Sequence, residues 1–262
     1  VRQILGIVLV QNEDRFVHRA VGNAWKFCDR LLLVDHRSGD GTARILQEFA
    51  SDFPGKAAFH HISHPGESHD LLKPFAGTDT WVFGVDGDEI YDPAGLQAFR
   101  TRLLAGEFDR HWMILGNVIH CDRLDLQDSH ASGFPSPPSR SITKLYNFAA
   151  IDSWGGDTPE RLHGGKPEFR RGFKEADKRQ LQLEYGWDES PLRCLHGCFV
   201  PRSSLDQAGV SRENIMETCR GNWAGRIRRL ARRLAGLPEI SGWKRDRYTR
   251  GERVTVPTAP FF

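Results

Sequence analysis

Three apolar runs set the frame of the chain. Ile4 to Val10, Leu31 to Val34 and Trp81 to Val85 are apolar at nearly every position, so both faces of each are buried, as in a parallel sheet covered on both sides. Between the first two, Phe16, Val17, Ala20, Val21, Ala24 and Phe27 recur at helical spacing. They follow Asn12-Glu13-Asp14, which reads as an Asn cap with acids in the first turn. A strand, a helix and a second strand in this order make a parallel pair. A second helix is expected from Ala43 to Ala50, with Ile45, Leu46 and Phe49 on its apolar face and Asp40 or Thr42 as its cap. A short third strand follows from Ala57 to Ile62.

After the third apolar run, Asp92-Pro93 is a helix start, with the acid as cap and proline at the first position. Leu96, Phe99 and Leu103 form its buried face, and Gly106 suits its end. Trp112 to Val118 reads as a strand. Residues 128–141, rich in Ser, Pro and Gly, read as a long loop. Order resumes at Lys144 to Phe148. Arg193 to Val200 reads as a strand on which Cys194, His196 and Cys198 share one face. Five arginines between Arg226 and Arg233, interleaved with Ile227 and Leu230, give an amphipathic helix with a cationic face. The tail from Trp243 is basic and aromatic, as suits a segment that folds back over an anionic ligand. The expected class is α/β, with a mixed, mainly parallel central sheet flanked by helices and a helical, basic C-terminal extension. The expected division is 1–110, 111–222 and 223–262.

Composition narrows the function. A chain of 262 residues with 39% hydrophobic and 27% charged residues is ordinary for a globular domain. A net charge of +2 excludes a general nucleic-acid binder. No apolar stretch is long enough to span a bilayer, and no secretory leader is legible. The five cysteines (28, 121, 194, 198 and 219) are odd in number and scattered, the pattern of reduced thiols in a cytoplasmic setting. The cationic Arg226–Arg233 helix raises peripheral contact with anionic lipid as an option.

The chemistry collects at the ends of the apolar runs. Trp81 to Val85 stops at Asp86-Gly87-Asp88-Glu89, and ligands of open α/β sheets sit at the carboxyl ends of the strands. Asp-x-Asp on a turn presents hard oxygens suited to Mg²⁺ or Mn²⁺, whose other positions go to phosphates and water. Asp35 closes the second strand, where a carboxylate can accept from a base or a ribose. Lys73, in a short helix before the acidic strand, is expected to reach the same edge. His60, His61, His64 and His69 fit no common zinc spacing and read as structural or exposed, and the Cys194, His196, Cys198 group has no partner pair at zinc spacing. Ser153 to Gly165 crowds glycines, Trp154, Asp157, Glu160 and His163 into a segment poorly suited to a core.

These pieces resemble the family 2 glycosyltransferases with the GT-A fold. The resemblance rests on Val10-Gln11-Asn12-Glu13 after the first strand, on Asp35, Ser38, Asp40 and Thr42 after the second, and on Asp86-Gly87-Asp88 after the third apolar run. It is strongest over residues 1–105. It implies a nucleoside-diphosphate sugar as donor, a UDP-sugar by family frequency. Val10, Gln11, Asn12, Glu13, Asp35, Ser38, Lys73, Asp86 and Gly87 would receive the nucleotide. A divalent ion would be held by Asp86 and Asp88, with His196 as a further ligand. It implies inversion in one displacement, with Asp157 or Glu160 as the base that deprotonates a glycan, lipid-linked or small-molecule acceptor, and His163 as a third candidate. The family's Arg-Asn pair before the acidic strand is missing, and Lys73-Pro74 stands near its place.

Other enzymes fit less well. A sugar nucleotidyltransferase needs a Gly-rich, basic loop after the first strand, and a dinucleotide dehydrogenase needs Gly-x-Gly-x-x-Gly there. A calcium loop needs glycine at its sixth position, where this chain has Tyr91. An Asp-x-Asp phosphatase has its nucleophile after the first strand. An inactive glycan-binding or scaffold protein on the same fold remains the alternative from a different class.

Overall fold

The first apolar run divides its side chains between two cores. Ile4, Val8 and Val10 point into one cluster with α1 (Val17–Ala24) and α4 (Pro93–Leu104), and Leu5, Ile7 and Leu9 into a second on the opposite face. This run is β1 (Gln3–Val10), an interior strand of a seven-stranded sheet in a computed structural model that describes residues 1–156, 162–206 and 246–262. β2 (Arg30–Asp35) and β4 (Thr80–Val85) flank β1 in parallel, and β3 (Ala57–His61) continues in parallel beyond β2. The order β3-β2-β1-β4 reverses direction between β1 and β4, which makes that crevice a topological switch point. The helices α2 (Thr42–Asp52) and α3 (Ser68–Leu72) link these strands.

The remainder is antiparallel or mixed. Past β4 the order continues with β9 (Lys144–Asn147), antiparallel to both of its neighbours, then β6 (Met113–Leu115) and β12 (Lys178–Gln180). A second sheet has the order β14 (Val254–Pro257), β8 (His130–Ser136), β7 (Asn117–Arg123), β13 (Arg193–His196) and β5 (Glu89–Tyr91), with one parallel pair, β7 and β13. β10 (Ile151–Gly155) and β11 (Lys166–Phe169) form a separate hairpin. The class is α/β, but the sheets are mixed rather than mainly parallel. Both sheets draw strands from either side of residue 110.

Several local expectations need correction. Asn12 is not a helix cap. It adopts the left-handed region (φ 52), which Asn tolerates better than most residues, and its Oδ1 accepts from the Gly39 amide at 2.6 Å. The helix starts at Val17, after a Phe16 that makes no side-chain cap. Trp112 to Val118 is two strands in different sheets. They part at Gly116, where a Cβ would collide with the Leu192 backbone. Residues 128–141 contain β8 rather than only loop, because partners at 117–123 and 254–257 supply the pairing that its Ser- and Pro-rich composition conceals. The strand expected to run to Val200 stops at His196, which leaves Cys198 in the following turn. The C-terminal tail does fold back, as the edge strand β14, and Arg253 pairs with Asp122 at 2.9 Å. The Arg226–Arg233 helix lies outside the described residues. Among those described, no helix is long and apolar enough to cross a membrane.

Candidate functional site

The chain crosses from the large sheet to the second sheet at Asp86-Gly87-Asp88, between β4 and β5. This turn lies beside the end of β1 and closes against it. The Gly87 amide donates to Glu13 Oε2 at 2.9 Å, and a Cβ at position 87 would collide with the Glu13 carboxylate and crowd Val10. Glycine is needed there for close approach rather than for backbone freedom.

Four carboxylates gather at the turn, and three of them are buried. Glu13, Asp88 and Glu89 are at most 1% exposed. Lys144, at the start of β9, sends its ammonium to Asp86 Oδ1 at 2.7 Å and Glu89 Oε1 at 3.0 Å. Arg202 reaches Asp88 Oδ2 at 2.8 Å and Glu13 Oε1 at 3.0 Å. Glu89 also accepts from the Asp86 amide and the Tyr91 hydroxyl. Burial raises the Glu89 carboxyl above its ordinary range against the pull of Lys144. Burial acts to lower Arg202, but Asp88 and Glu13 hold it above the usual guanidinium value. Among the described residues two cations face these four carboxylates, whose hard oxygens are of the kind that hold Mg²⁺ or Mn²⁺.

A second feature lies two strands away on the same sheet edge. Asp35 pairs in register with Val10, while β4 flanks β1 on its other side. Asp35 and the acidic turn are therefore separated by two strand spacings, about 10 Å. Asp35 is fully buried. Its Oδ2 accepts from the Ser38 amide at 3.3 Å and lies 3.0 Å from His61 Nδ1. Its Oδ1 has no hydrogen-bond partner among the described residues. A buried carboxylate oxygen left this way costs free energy unless a donor arrives from outside. Ser38 Oγ accepts from the Asn12 amide at 2.9 Å, so the loops after β1 and β2 are locked together beside it.

The structure thus brings Val10, Gln11, Asn12, Glu13, Asp35, Ser38, Asp86, Gly87 and Asp88 to one sheet edge, with His196 Nε2 at 3.5 Å from Asp88 Oδ2. Lys73 does not join them. Its ammonium pairs with Asp70 at 2.5 Å, and the side chain is 55% exposed. Asp157 and Glu160 lie outside the described residues. His163 is exposed to solvent, yet both ring nitrogens are engaged, with Nε2 3.2 Å from the Ile142 carbonyl and Nδ1 3.1 Å from the Tyr146 hydroxyl. The cations Lys144 and Arg202 escaped the sequence reading. The one signal for Lys144 was a buried-looking strand opening on a lysine, and Arg202 had none.

A cavity of about 700 Å³ opens between β6, β9 and the β10–β11 hairpin. Trp112, Tyr146, Trp154 and Phe169 supply aromatic faces, and Arg140, Lys166 and Lys178 supply charge.

No protein-family model matches the chain, and no curated protein matches it. Among solved structures it is similar to the crystal structure of mannose-6-phosphate isomerase from Helicobacter pylori, with 11% identity, over 56% of this chain and 71% of that one, at a TM-score of 0.35. So weak a likeness carries no inference about function.

Proposed function

We propose that this chain is a metal-dependent glycosyltransferase of the GT-A kind, which moves a sugar from a nucleoside diphosphate to an acceptor hydroxyl. The observation that carries the reading is the unmatched buried oxygen of Asp35 on the same edge as the acidic turn, about 10 Å away across the switch point. A base N–H placed against Asp35 Oδ1 puts the ribose over the end of β1 and the diphosphate at the turn.

In this reading Asp86 and Asp88 would hold the divalent cation. It would supply Lewis-acid neutralisation of the departing diphosphate. Lys144 and Arg202 hold the carboxylates of the turn in place, and each could turn part of its charge toward phosphate oxygens. Asn12 and Ser38 hold the nucleoside-facing loops together, and Gly87 lets Glu13 brace the turn from behind. The aromatic and polar cavity beside β9 suits an acceptor sugar, whose rings offer apolar faces and whose hydroxyls need polar partners. The base that takes the acceptor proton would be Asp157 or Glu160.

The test is a thermal-shift panel of nucleoside diphosphates, each with and without Mn²⁺. One nucleotide is expected to raise the melting temperature only with metal, by the equivalent of about 2.7 kcal/mol at 100 times its dissociation constant. Asp35→Asn is expected to weaken that response for every base bearing a donor. Silence toward all nucleotides in the parent protein would overturn the reading and favour a glycan-binding protein without transfer activity.

A further inference from the structure

Behind the acidic turn, three donors of a different chemical kind converge. β7 and β13 run in parallel with His120 opposite His196. Their Nδ1 atoms face each other at 2.9 Å, and Cys198 Sγ lies 3.9 Å from His120 Nδ1. All three side chains are buried, with the three donor atoms within 4.8 Å of one another. For a tetrahedral zinc ion with ordinary bond lengths, two nitrogens stand about 3.3 Å apart, and a nitrogen and a sulfur about 3.6 Å. Each of the two distances is therefore within about 0.4 Å of what such an ion requires.

The hydrogen bonds around the imidazoles point the same way. His120 Nε2 lies 2.8 Å from the Arg140 carbonyl, which can only accept. Nε2 therefore carries the proton, and Nδ1 presents a lone pair. His196 turns Nε2 to the Asp88 carboxylate at 3.5 Å, so both rings direct Nδ1 into the space between them. Imidazoles that bind metal commonly donate their other N–H to a carboxylate or a backbone carbonyl. Those are the partners found here, Asp88 and the carbonyl of Arg140.

We propose that His120 Nδ1, His196 Nδ1 and Cys198 Sγ bind one borderline-soft divalent cation of the zinc class, with the Arg140 carbonyl and the Asp88 carboxylate orienting the two imidazoles and a fourth position left for water or an added donor. Thiolate and imidazole select this class over Mg²⁺ or Mn²⁺. Binding converts the Cys198 thiol to thiolate and releases its proton to solvent, so affinity falls as pH is lowered. Tyr248 stacks on His120, with ring centres 4.3 Å apart and planes within 8°. The site does not depend on the glycosyltransferase reading. It commits His196 to this ion and leaves the ion at Asp86 and Asp88 to carboxylates, water and phosphate.

The experiment is a Co²⁺ titration of the full chain after chelator treatment, with no nucleotide present. The expected result is one equivalent bound, with a near-ultraviolet thiolate-to-cobalt charge-transfer band and visible bands of tetrahedral strength. Zn²⁺ should abolish both stoichiometrically, and excess Mg²⁺ should leave them. Cys198→Ser should remove the charge-transfer band, while Cys194→Ser, which alters a buried thiol outside the group, should keep it. Asp88→Asn should weaken Co²⁺ binding by roughly 10–100-fold through its hold on His196. Should Cys198→Ser fail to fold, Zn²⁺ protection of Cys198 against alkylation, mapped by peptide mass in the parent protein, gives the same answer. Absence of the charge-transfer band in the parent, its persistence in Cys198→Ser, or equal alkylation of Cys198 with and without Zn²⁺ would each overturn the proposal. A nucleotide response without these bands would leave the glycosyltransferase reading intact, and bands without a nucleotide response would do the reverse.

Discussion

Gly87 sits where one added carbon must displace a buried charge. The Glu13 carboxylate that a Cβ would strike is held by the Gly87 amide at 2.9 Å and by Arg202 at 3.0 Å, so it cannot swing aside without breaking both. Gly87→Ala is therefore expected to lower stability by about 1–3 kcal/mol in urea denaturation. Gly155→Ala, which meets nothing within 4 Å, should stay within about 0.5 kcal/mol of the parent.

At the scale of elements, Asp92 joins two tasks. Its Oδ1 caps α4 by accepting from the Ala94 and Gly95 amides at 2.9 and 3.1 Å. Its Oδ2 takes Arg193 Nε and Nη2 at 3.0 and 2.9 Å, which pins the helix to β13. Loss of a cap alone costs about 1 kcal/mol, but Asp92→Ala also strands a buried guanidinium and is expected to cost about 3–5 kcal/mol. Asp92→Asn keeps an acceptor for the cap and should fall between, measured by the urea midpoint. This cap was legible in the sequence because acid, proline and apolar face are neighbours along the chain. The same locality explains why β1, β2, β4 and the acidic turn could be read, and why β8 could not. Its residues look like a loop until β7 and a strand more than a hundred residues later lie beside them. His120 was hidden for the same reason. Only the pairing of β7 with β13 sets it against His196, and the expected single strand face of Cys194, His196 and Cys198 ends at His196, where the strand stops.

Across the whole molecule, the two sheets meet at a turn whose acids find cations from distant parts of the chain. Lys144 arrives from β9 and Arg202 from the segment after β13, and neither is near the acids in sequence. The sequence therefore displayed the carboxylates without the cations that pair with them, and Lys73, close in sequence, pairs with Asp70 instead. Removing one of these pairings separates a metal site from a merely structural ion-pair network. Arg202→Met keeps most of the side chain's bulk and leaves Glu13 and Asp88 buried without their guanidinium. The expected cost is about 3–5 kcal/mol in the absence of divalent ions. If the turn accepts a divalent cation, Mn²⁺ should restore part of that loss, and the rise in melting temperature with Mn²⁺ should be larger in Arg202→Met than in the parent, because the ion no longer competes with a fixed positive charge for Asp88. An equal rise in the two proteins would place the Mn²⁺ elsewhere. No rise in either would mean that the carboxylates serve only to fasten one sheet to the other.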